Sequence, residues 1–276
     1  MRFAWATDIH LDCVGNPKIA VEKLATSSER SDGIIITGDI SVGPGILPHL
    51  RLLEDTLQKP IYFVLGNHDY YSSDIIGTRR KVAEACRFLT FAKYLGALQY
   101  VRLDNNTALV GSDGWYDAYN GSPEESQIIM NDWLKIADFQ HCIVNSMFGK
   151  SIDKSKIIEV SRAISMASVR HVLQGIKIAA QSYDSIVVAT HVPPFIESYS
   201  SKKYDTSPPH HLYPWYTSRL MGEMLLSAAK TYPHVQFTVL SGHTHGEFEG
   251  DILPNLRARV GKSQYGEPQI AGYIDI

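Results

Sequence analysis

Five apolar runs in this chain lead directly into residues that can bind a metal ion or move a proton. The runs are strand-length, as in Phe3–Ala6 and Ile61–Leu65, and aspartate, asparagine or histidine follows each of them. These candidate ligands are Asp8, His10, Asp39, Asn67, His191, His243 and His245. They offer carboxylate and amide oxygens and imidazole nitrogens, which suit divalent Mn, Fe or Zn better than copper or iron–sulfur centres.

The size of this ligand set indicates two metal ions. Seven donors exceed the four of a tetrahedral structural zinc site. Two ions roughly 3.5–4 Å apart can share a carboxylate, hold a hydroxide and clamp a phosphoryl group. The spacing Asp8-x-His10, repeated in His243-x-His245, would direct both side chains of each pair to one side of an extended chain.

Each of these motifs, taken singly, also has a structural interpretation. Gly38-Asp39 is common in turns, and His191 could be an ordinary loop histidine. Gly66-Asn67-His68-Asp69 is the most specific single motif. Because all five motifs follow apolar runs, we expect them to share one site.

The elements between the motifs predict an α/β fold. Helical spacing over residues 17–29 and 79–95 alternates with the strand-like runs, which favours a largely parallel core sheet. Ligand sites in such sheets form at the carboxyl ends of the strands. A hairpin over 98–110, turning at Asn105-Asn106, and short strands over 247–276 are also predicted. We expect one domain, residues 1–276, with a mostly helical cap or flanking segment around 113–182.

Composition and charge limit the kinds of partner and the cellular compartment that we expect. A net charge of −3 gives no electrostatic reason to expect binding to nucleic acid or to an anionic membrane. The cysteines Cys13, Cys86 and Cys142 are far apart, which is typical of reduced thiols. No apolar run approaches the roughly 20 residues of a membrane helix, and the first is too short for a signal peptide. We expect a cytoplasmic protein.

In their order, these motifs resemble those of the calcineurin-like metallophosphoesterase superfamily. That family carries D-x-H, G-D, G-N-H-[DE], H and G-H-x-H, and here the series runs from Asp8-Ile9-His10 to Gly242-His243-Thr244-His245. The resemblance spans residues 1 to about 250. It implies a four-layer α/β/β/α sandwich of two mixed sheets flanked by helices.

The resemblance also implies a role for each residue. The first metal would be held by Asp8, His10, Asp39 and His245, and the second by Asp39, Asn67, His191 and His243. Asp39 would bridge the two ions. A metal-bridging hydroxide would attack a phosphomonoester or phosphodiester. His68 would protonate the leaving oxygen or stabilise charge on the phosphoryl group.

The second motif departs from that of many relatives. The Ser/Thr protein phosphatases of the superfamily carry G-D-x-x-D-R-G, whereas Val42 stands here at the second aspartate and no arginine follows. The usual partner of His68 is therefore missing, and Asp69, Asp12 or Asp113 could replace it. We include Asp69 with His68 among the catalytic candidates. The departure argues against a typical protein Ser/Thr phosphatase.

Two segments could form the walls of a substrate site. Trp115 and Tyr116 could stack on a base or sugar, or they could be packed core aromatics. In residues 204–216, His210 and His211 could contact phosphate, or the segment could be a rigid surface loop. Lys202 and Lys203 could attract an anion, or they could be solvated.

The sequence thus predicts a dimetal phosphohydrolase acting on a small phosphorylated substrate, with a nucleotide among the candidates. One alternative is a non-catalytic scaffold with the same fold, and the presence of all seven ligands and of His68 argues against it. The other alternative is a nuclease of the same superfamily, and the absence of a basic stripe argues against that.

Overall fold

The computed structural model describes residues 1–146, 149–199 and 208–276. Its strands are β1 (Arg2–Ala6), β2 (Gly33–Thr37), β3 (Ile61–Val64), β4 (Ala92–Tyr94), β5 (Val101–Arg102), β6 (Thr107–Gly111), β7 (Ile143–Ser146), β8 (Gly149–Ile152), β9 (Ser185–Ala189), β10 (Gln236–Ser241), β11 (Phe248–Leu253), β12 (Leu256–Val260) and β13 (Ile270–Asp275). Its α-helices are α1 (Pro17–Ser27), α2 (Ile46–Leu57), α3 (Ile75–Cys86), α4 (Asn131–Lys135), α5 (Lys154–Ala179), α6 (Pro209–Tyr216) and α7 (Arg219–Thr231).

Two mixed sheets form the centre of the molecule. The first has the order β13-β1-β2-β3-β4, in which only the β13–β1 pair is antiparallel. The second has the order β11-β12-β10-β9-β6-β5, with antiparallel pairs at both edges and parallel pairs between them. In both sheets the parallel strands align their carboxyl ends, so the loops that follow them meet at one edge.

Three apolar clusters define the layers. Phe3, Trp5 and Ile35 of the first sheet pack against Val187 and Leu240 of the second. The outer face of the first sheet is covered mainly by α1, α2 and α3, and that of the second by α5 and α7. The order of layers is helix, sheet, sheet, helix, so the predicted α/β/β/α sandwich is confirmed.

Local sequence accounts for most of these elements. The apolar runs are β-branched and buried, as in β2, whose five residues are all buried. Helix α1 begins where the Asn16 side chain accepts hydrogen bonds from the amides of Lys18 and Ile19. The predicted hairpin is present as the antiparallel pair of β5 and β6.

The helix predicted over residues 79–95 ends earlier than expected. Helix α3 stops at Cys86, and residues 92–94 form β4, which pairs with β3. The reason is a long-range contact, because the Glu54 carboxylate accepts hydrogen bonds from the amides of Thr90, Phe91 and Ala92. A second difference lies in the flanking segment, where β7 and β8 pair as antiparallel strands between α4 and α5.

Within the described ranges, the helices are too short or too polar for any one of them to cross a membrane.

Candidate active site

Hydrogen bonds between neighbouring loops hold the candidate ligands together at the common edge. The amide of Asp8 donates to Gly38 O and that of His10 to Asp39 O, both at 3.0 Å. On the second sheet the amide of Gly242 donates to His191 O at 2.9 Å. The loops after β1, β2, β9 and β10 are therefore bound to each other in pairs.

Most of the candidate ligands have a left-handed backbone. The φ angles are 48° at Asp8, 39° at His10, 50° at Asp39, 65° at His243 and 56° at His245. The expectation that each D-x-H or H-x-H pair lies on an extended chain was therefore wrong. Non-glycine residues in this region cost about 1–3 kcal/mol each, and such strain is concentrated at functional sites. The backbone turns here so that alternate side chains point into one small volume.

Two glycines make this convergence sterically feasible. A Cβ at Gly66 would collide with the Asp39 carboxylate, and one at Gly242 would collide with the side chains of Thr7 and Asp8. Neither glycine has a positive φ. Their function is close approach to the carboxylates, whereas Gly38, at φ 91°, provides a turn.

The first group of ligands comprises Asp8, His10, Asp39 and His245. His10 Nε2 lies 3.3 Å from His245 Nε2 and 3.7 Å from Asp39 Oδ2. His245 Nε2 lies 3.3 Å from Asp8 Oδ1. The ligand atoms of these four residues all lie within 4.8 Å of one another, as the donors around one metal ion would.

The second group comprises Asp39, Asn67, His191 and His243. Asn67 Oδ1 lies 2.9 Å from His191 Nε2 and 3.0 Å from His243 Nδ1. The other carboxylate oxygen of Asp39, Oδ1, lies 3.5 Å from His191 Nε2. Asp39 thus turns one oxygen towards each group, as the predicted bridging role requires.

The tautomers of the second group identify a place for a cation. His191 Nδ1 contacts Thr37 O at 2.9 Å and His243 Nε2 contacts Trp215 O at 3.1 Å. A carbonyl only accepts, so these nitrogens carry the protons and the opposite nitrogens present lone pairs. Both lone pairs face the carbonyl oxygen of Asn67, which is also an acceptor. Three acceptors without a donor repel each other unless a cation lies between them, so the donor set fits a metal ion.

The electrostatics of the groups agree with this interpretation. Burial lowers the pKa of His10 and of His243 to about 3, and it also lowers that of His191. These imidazoles are therefore neutral at neutral pH and keep the lone pairs that a metal needs. Burial and the nearby Asp8 raise the pKa of Asp39 well above its usual range. A cation would reverse that effect by favouring the ionised carboxylate.

The support of Asn67 comes from Asp132 and two tyrosines, a role that the sequence did not predict for any of them. Asn67 Nδ2 donates to Asp132 Oδ1 at 2.8 Å, and the hydroxyl of Tyr71 donates to the same oxygen at 2.8 Å. The hydroxyl of Tyr116 donates to Asp132 Oδ2 at 3.0 Å. Asp132 lies in the short helix α4, and no motif in the sequence marks it. These contacts turn the carbonyl of Asn67 towards the two imidazoles.

His68 lies beside the ligands without being among them. Its ring packs on Tyr71 at 4.4 Å, and its Nε2 lies 3.4 Å from the Tyr265 hydroxyl and 3.9 Å from Asp39 Oδ2. The side chain is 18% exposed. Burial, together with His191, lowers the pKa of His68 to about 3, so the ring is neutral at neutral pH.

The carboxylates of the three aspartates proposed as partners of His68 bind other groups instead. The Asp69 carboxylate accepts hydrogen bonds from the amides of Ile40, Ser41 and Gly66, so it binds the loops after β2 and β3 together. Asp113 is enclosed by Arg79, Tyr70 and Tyr94, and Asp12 is exposed and accepts from Cys13. Asp69 is therefore an anchoring residue in this geometry, and its proposed catalytic role is corrected. Val42 packs against the apolar core.

The prediction that two aromatic residues form a wall of the substrate site was also wrong. Trp115 and Tyr116 are fully buried, with 1% and 0% of their surface exposed. Tyr116 packs beside His243, with ring centroids 6.3 Å apart, and holds Asp132. These two residues are core aromatics behind the site and cannot stack on a substrate.

His210 and His211 lie at the start of α6, away from the ligands. With Glu125 they form a separate, largely exposed group. The opposite end of α6 reaches the site, where Trp215 O and the Tyr216 ring contact His243. At 1.5 Å per residue, His210 is about 9 Å further along the helix axis than Tyr216. Residues 204–207 of the proposed wall, and Lys202 and Lys203, lie outside the described residues.

The cleft above the ligands is small and partly aromatic. It has a volume of about 150 Å³. Its walls combine Asp39, Asn67, His68, His243 and His245 with Tyr71, Ile129, Met130, Asn131, Tyr216 and Tyr265. Tyr216 belongs to the 204–216 segment that was predicted as a wall, and Tyr71 follows the Gly66–Asp69 motif closely. Tyr265 and the 129–131 segment were not predicted from the sequence, because they come from parts of the chain without a metal-binding motif.

Comparison with solved structures shows the same fold in enzymes of phosphate chemistry. A phosphopantetheinyl hydrolase from Mycobacterium tuberculosis is 16% identical, with a TM-score of 0.61 over 96% of this chain and 89% of that one. A dimetal phosphatase from Danio rerio is 13% identical, with a TM-score of 0.57 over 95% and 87%. A putative 5′-nucleotidase from Staphylococcus aureus is 13% identical, with a TM-score of 0.50 over 95% and 48%.

At the level of sequence, no curated protein matches the chain. The model of the calcineurin-like phosphoesterase family matches residues 1–247, which include every candidate metal ligand. This chain therefore belongs to the calcineurin-like phosphoesterase family.

Proposed function

We propose that this chain is a dimetal phosphohydrolase that cleaves a small phosphomonoester or phosphodiester. Membership of the calcineurin-like phosphoesterase family supports metal-dependent hydrolysis. The observation that carries the proposal is the convergence of lone pairs from Asn67, His191 and His243 beside the two oxygens of Asp39. Such an arrangement stabilises a cation and has no evident function without one.

Each residue then has a defined task. Asp8, His10 and His245 would hold one ion, Asn67, His191 and His243 the other, and Asp39 would bind both. When bound, two divalent ions, Mn, Fe or Zn, would supply a hydroxide at neutral pH and neutralise charge on the phosphoryl group. Asp132 would fix the orientation of Asn67, as the hydrogen-bonding partners behind metal ligands do in other sites.

His68 would act on the phosphoryl group rather than on a metal. The ring of His68 lines the cleft, and its low pKa keeps it neutral. A neutral ring can still donate one N–H hydrogen bond. That bond would stabilise charge on a phosphoryl or leaving oxygen as it develops. Tyr71, which packs against the ring, would keep it in this orientation.

The volume of the cleft supports a small substrate or the exposed end of a larger one. About 150 Å³ is enough for a phosphoryl group and a few further atoms, with the rest of the substrate outside. The solved structures that share this fold include a phosphatase and a putative 5′-nucleotidase, so nucleotides belong among the first compounds to be tested.

The test is hydrolysis of p-nitrophenyl phosphate, its bis ester and a panel of nucleotides with Mn²⁺. We expect turnover of at least one ester by the wild type, and none by Asp39→Asn, which should also lose metal. Elemental analysis of both proteins reports the bound ions. A wild type that holds two ions and hydrolyses no ester would favour the non-catalytic scaffold, and cleavage of DNA alone would favour the nuclease.

A further inference from the structure

Tyr265 lies over the candidate metal site from outside the part of the chain that the family model matches. It belongs to the loop between β12 and β13, and the match ends at residue 247. Its ring centroid is 4.4 Å from that of His10 and 4.7 Å from that of His245. The ring thus covers two candidate ligands of the first ion.

The hydroxyl of Tyr265 points to the same part of the cleft as His68. It lies 3.4 Å from His68 Nε2, the ring nitrogen that is nearest to Asp39 Oδ2 at 3.9 Å. The other contacts of the His68 ring are with His10 and Tyr71. The Nε2 edge therefore faces the cleft near Asp39, and the tyrosine hydroxyl lies beside the same nitrogen.

The loop that carries Tyr265 is attached to the end of β10. The amide of Gly261 donates to Ser241 O at 2.9 Å, and that of Ser263 donates to His245 O at 3.4 Å. The same strand end therefore positions Tyr265 and the ligands His243 and His245. These bonds hold the loop just before Tyr265, which is 49% exposed and lines the cleft, so its hydroxyl is available there as a hydrogen-bond donor.

We propose that Tyr265 is a further catalytic residue, whose hydroxyl donates a hydrogen bond to the phosphoryl oxygen that His68 also contacts. The proposal rests on the proposed phosphohydrolase function. Tyr265 transfers no proton in this role, and its hydroxyl stabilises charge on the oxygen. It supplies a neutral contact in a site whose second motif, Gly38 to Pro44, contains no arginine.

The experiment compares Tyr265→Phe with the wild type, and Tyr273→Phe serves as the matched control. The hydroxyl of Tyr273, on β13 of the same C-terminal region, donates to Ser27 O away from the cleft. A hydrogen bond to a charged group contributes roughly tenfold or more to affinity. We therefore expect kcat/KM to fall at least tenfold in Tyr265→Phe and to stay unchanged in Tyr273→Phe, with both proteins keeping their metal content.

Binding of inorganic phosphate to the Mn²⁺-loaded proteins, followed by calorimetry, is the deciding measurement, because it does not depend on finding the substrate. We expect about tenfold weaker binding in Tyr265→Phe. Phosphate affinity within twofold of the wild type, or loss of metal from the variant, would overturn the proposal. A wild type that hydrolyses no ester would contradict the proposed function, whereas the phosphate comparison would still decide the role of Tyr265.

Discussion

The amide of Asn67 is fixed on both sides, and this explains how a neutral side chain can serve as a ligand. Its Nδ2 donates to Asp132, so its Oδ1 must face His191 and His243. An amide free to rotate would turn its N–H groups towards the imidazole lone pairs and close the cation site. The orientation of Asn67 thus depends on the acceptor oxygen of Asp132.

Asp132→Asn should weaken metal binding without removing any ligand. The variant replaces the acceptor of two hydrogen bonds from Asn67 and Tyr71 with a neutral amide. Loss of such a partner typically costs 10- to 100-fold in metal affinity. Competition with a chelator measures the affinity, and Asp55→Asn, at an exposed position of α2, is the control. Equal affinities in the two variants would show that Asp132 does not hold the ligand.

His68→Ala should keep both metal ions and lose most turnover. The side chain contacts the cleft but lies outside both ligand groups, so its removal leaves the donor set intact. Groups that assist proton transfer or stabilise charge typically contribute about 10²–10⁴-fold. The loss should be greatest with a poor leaving group. Unchanged turnover of an alkyl phosphate ester would rule out the assigned role.

The residue types of the candidate site were predictable from the sequence. The backbone conformations of these residues, and the hydrogen bonds that neighbouring carboxylates make, were not. The seven candidate ligands could be named because metal chemistry restricts the usable side chains, and the structure brings them together. Their left-handed φ angles are uncommon for any residue except glycine, although Asp and His tolerate them better than most, and no local pattern in the sequence marks them. Asp69 was misinterpreted for a similar reason, since a carboxylate next to a catalytic histidine can equally bind backbone amides.

At the scale of elements, a buried cluster around Asp113 holds the end of β3 in place. The carboxylate accepts hydrogen bonds from the amide of Leu65 and from the hydroxyls of Tyr70 and Tyr94, and it pairs with Arg79 at 2.7 Å. These partners belong to the loop after β3, to α3 and to β4. Asp113 therefore attaches the loop that carries Asn67 and His68 to α3 and β4, just as Asp69 attaches it to the loop after β2.

Asp113→Ala should destabilise the protein strongly. Removing one partner of a fully buried ion pair costs about 3–5 kcal/mol, because the other charge loses its compensation. Asp113 is 1% exposed but Arg79 is 26% exposed, so we expect a loss towards the lower end of that range. Asp251→Ala is the matched control, since Asp251 also pairs with an arginine, Arg257, at 2.7 Å but in an exposed position. Urea unfolding should show a large loss for Asp113→Ala and almost none for Asp251→Ala. Equal effects would mean that burial does not govern the strength of the pair.

Strands and helices that follow the local pattern of apolar residues were predictable from the sequence. Elements whose bounds depend on contacts with distant residues were not. The apolar runs became strands because buried β-branched segments favour that structure on their own. Residues 87–95 leave the helix because Glu54, more than 30 positions earlier, binds three of their amides. The antiparallel pair of β7 and β8 likewise lies in a segment whose spacing indicated helix.

At the scale of the whole molecule, the candidate site joins the two sheets. Asp8, Asp39 and Asn67 follow strands of the first sheet, whereas His191 and His243 follow strands of the second. Each of the two ligand groups contains side chains from both sheets. Metal ions bound there would therefore link the two halves of the sandwich.

Removal of metal should lower the thermal stability of the protein. An ion that binds only the folded state at 1,000 times its Kd contributes about 4 kcal/mol. For a chain of this size that corresponds to a rise in Tm of roughly 10 °C. Differential scanning calorimetry with a chelator and then with Mn²⁺ measures the shift. Asp39→Asn should show little response to Mn²⁺, and an equal response in both proteins would place the stabilising ion elsewhere.

Joint action of two ions in one site can be measured by titration with Mn²⁺. Metal-free protein is titrated with Mn²⁺ while hydrolysis of the best ester of the panel is followed. We expect turnover to rise to a plateau at two bound equivalents and excess chelator to abolish it. A plateau at one equivalent, or no turnover with two equivalents bound, would contradict joint action.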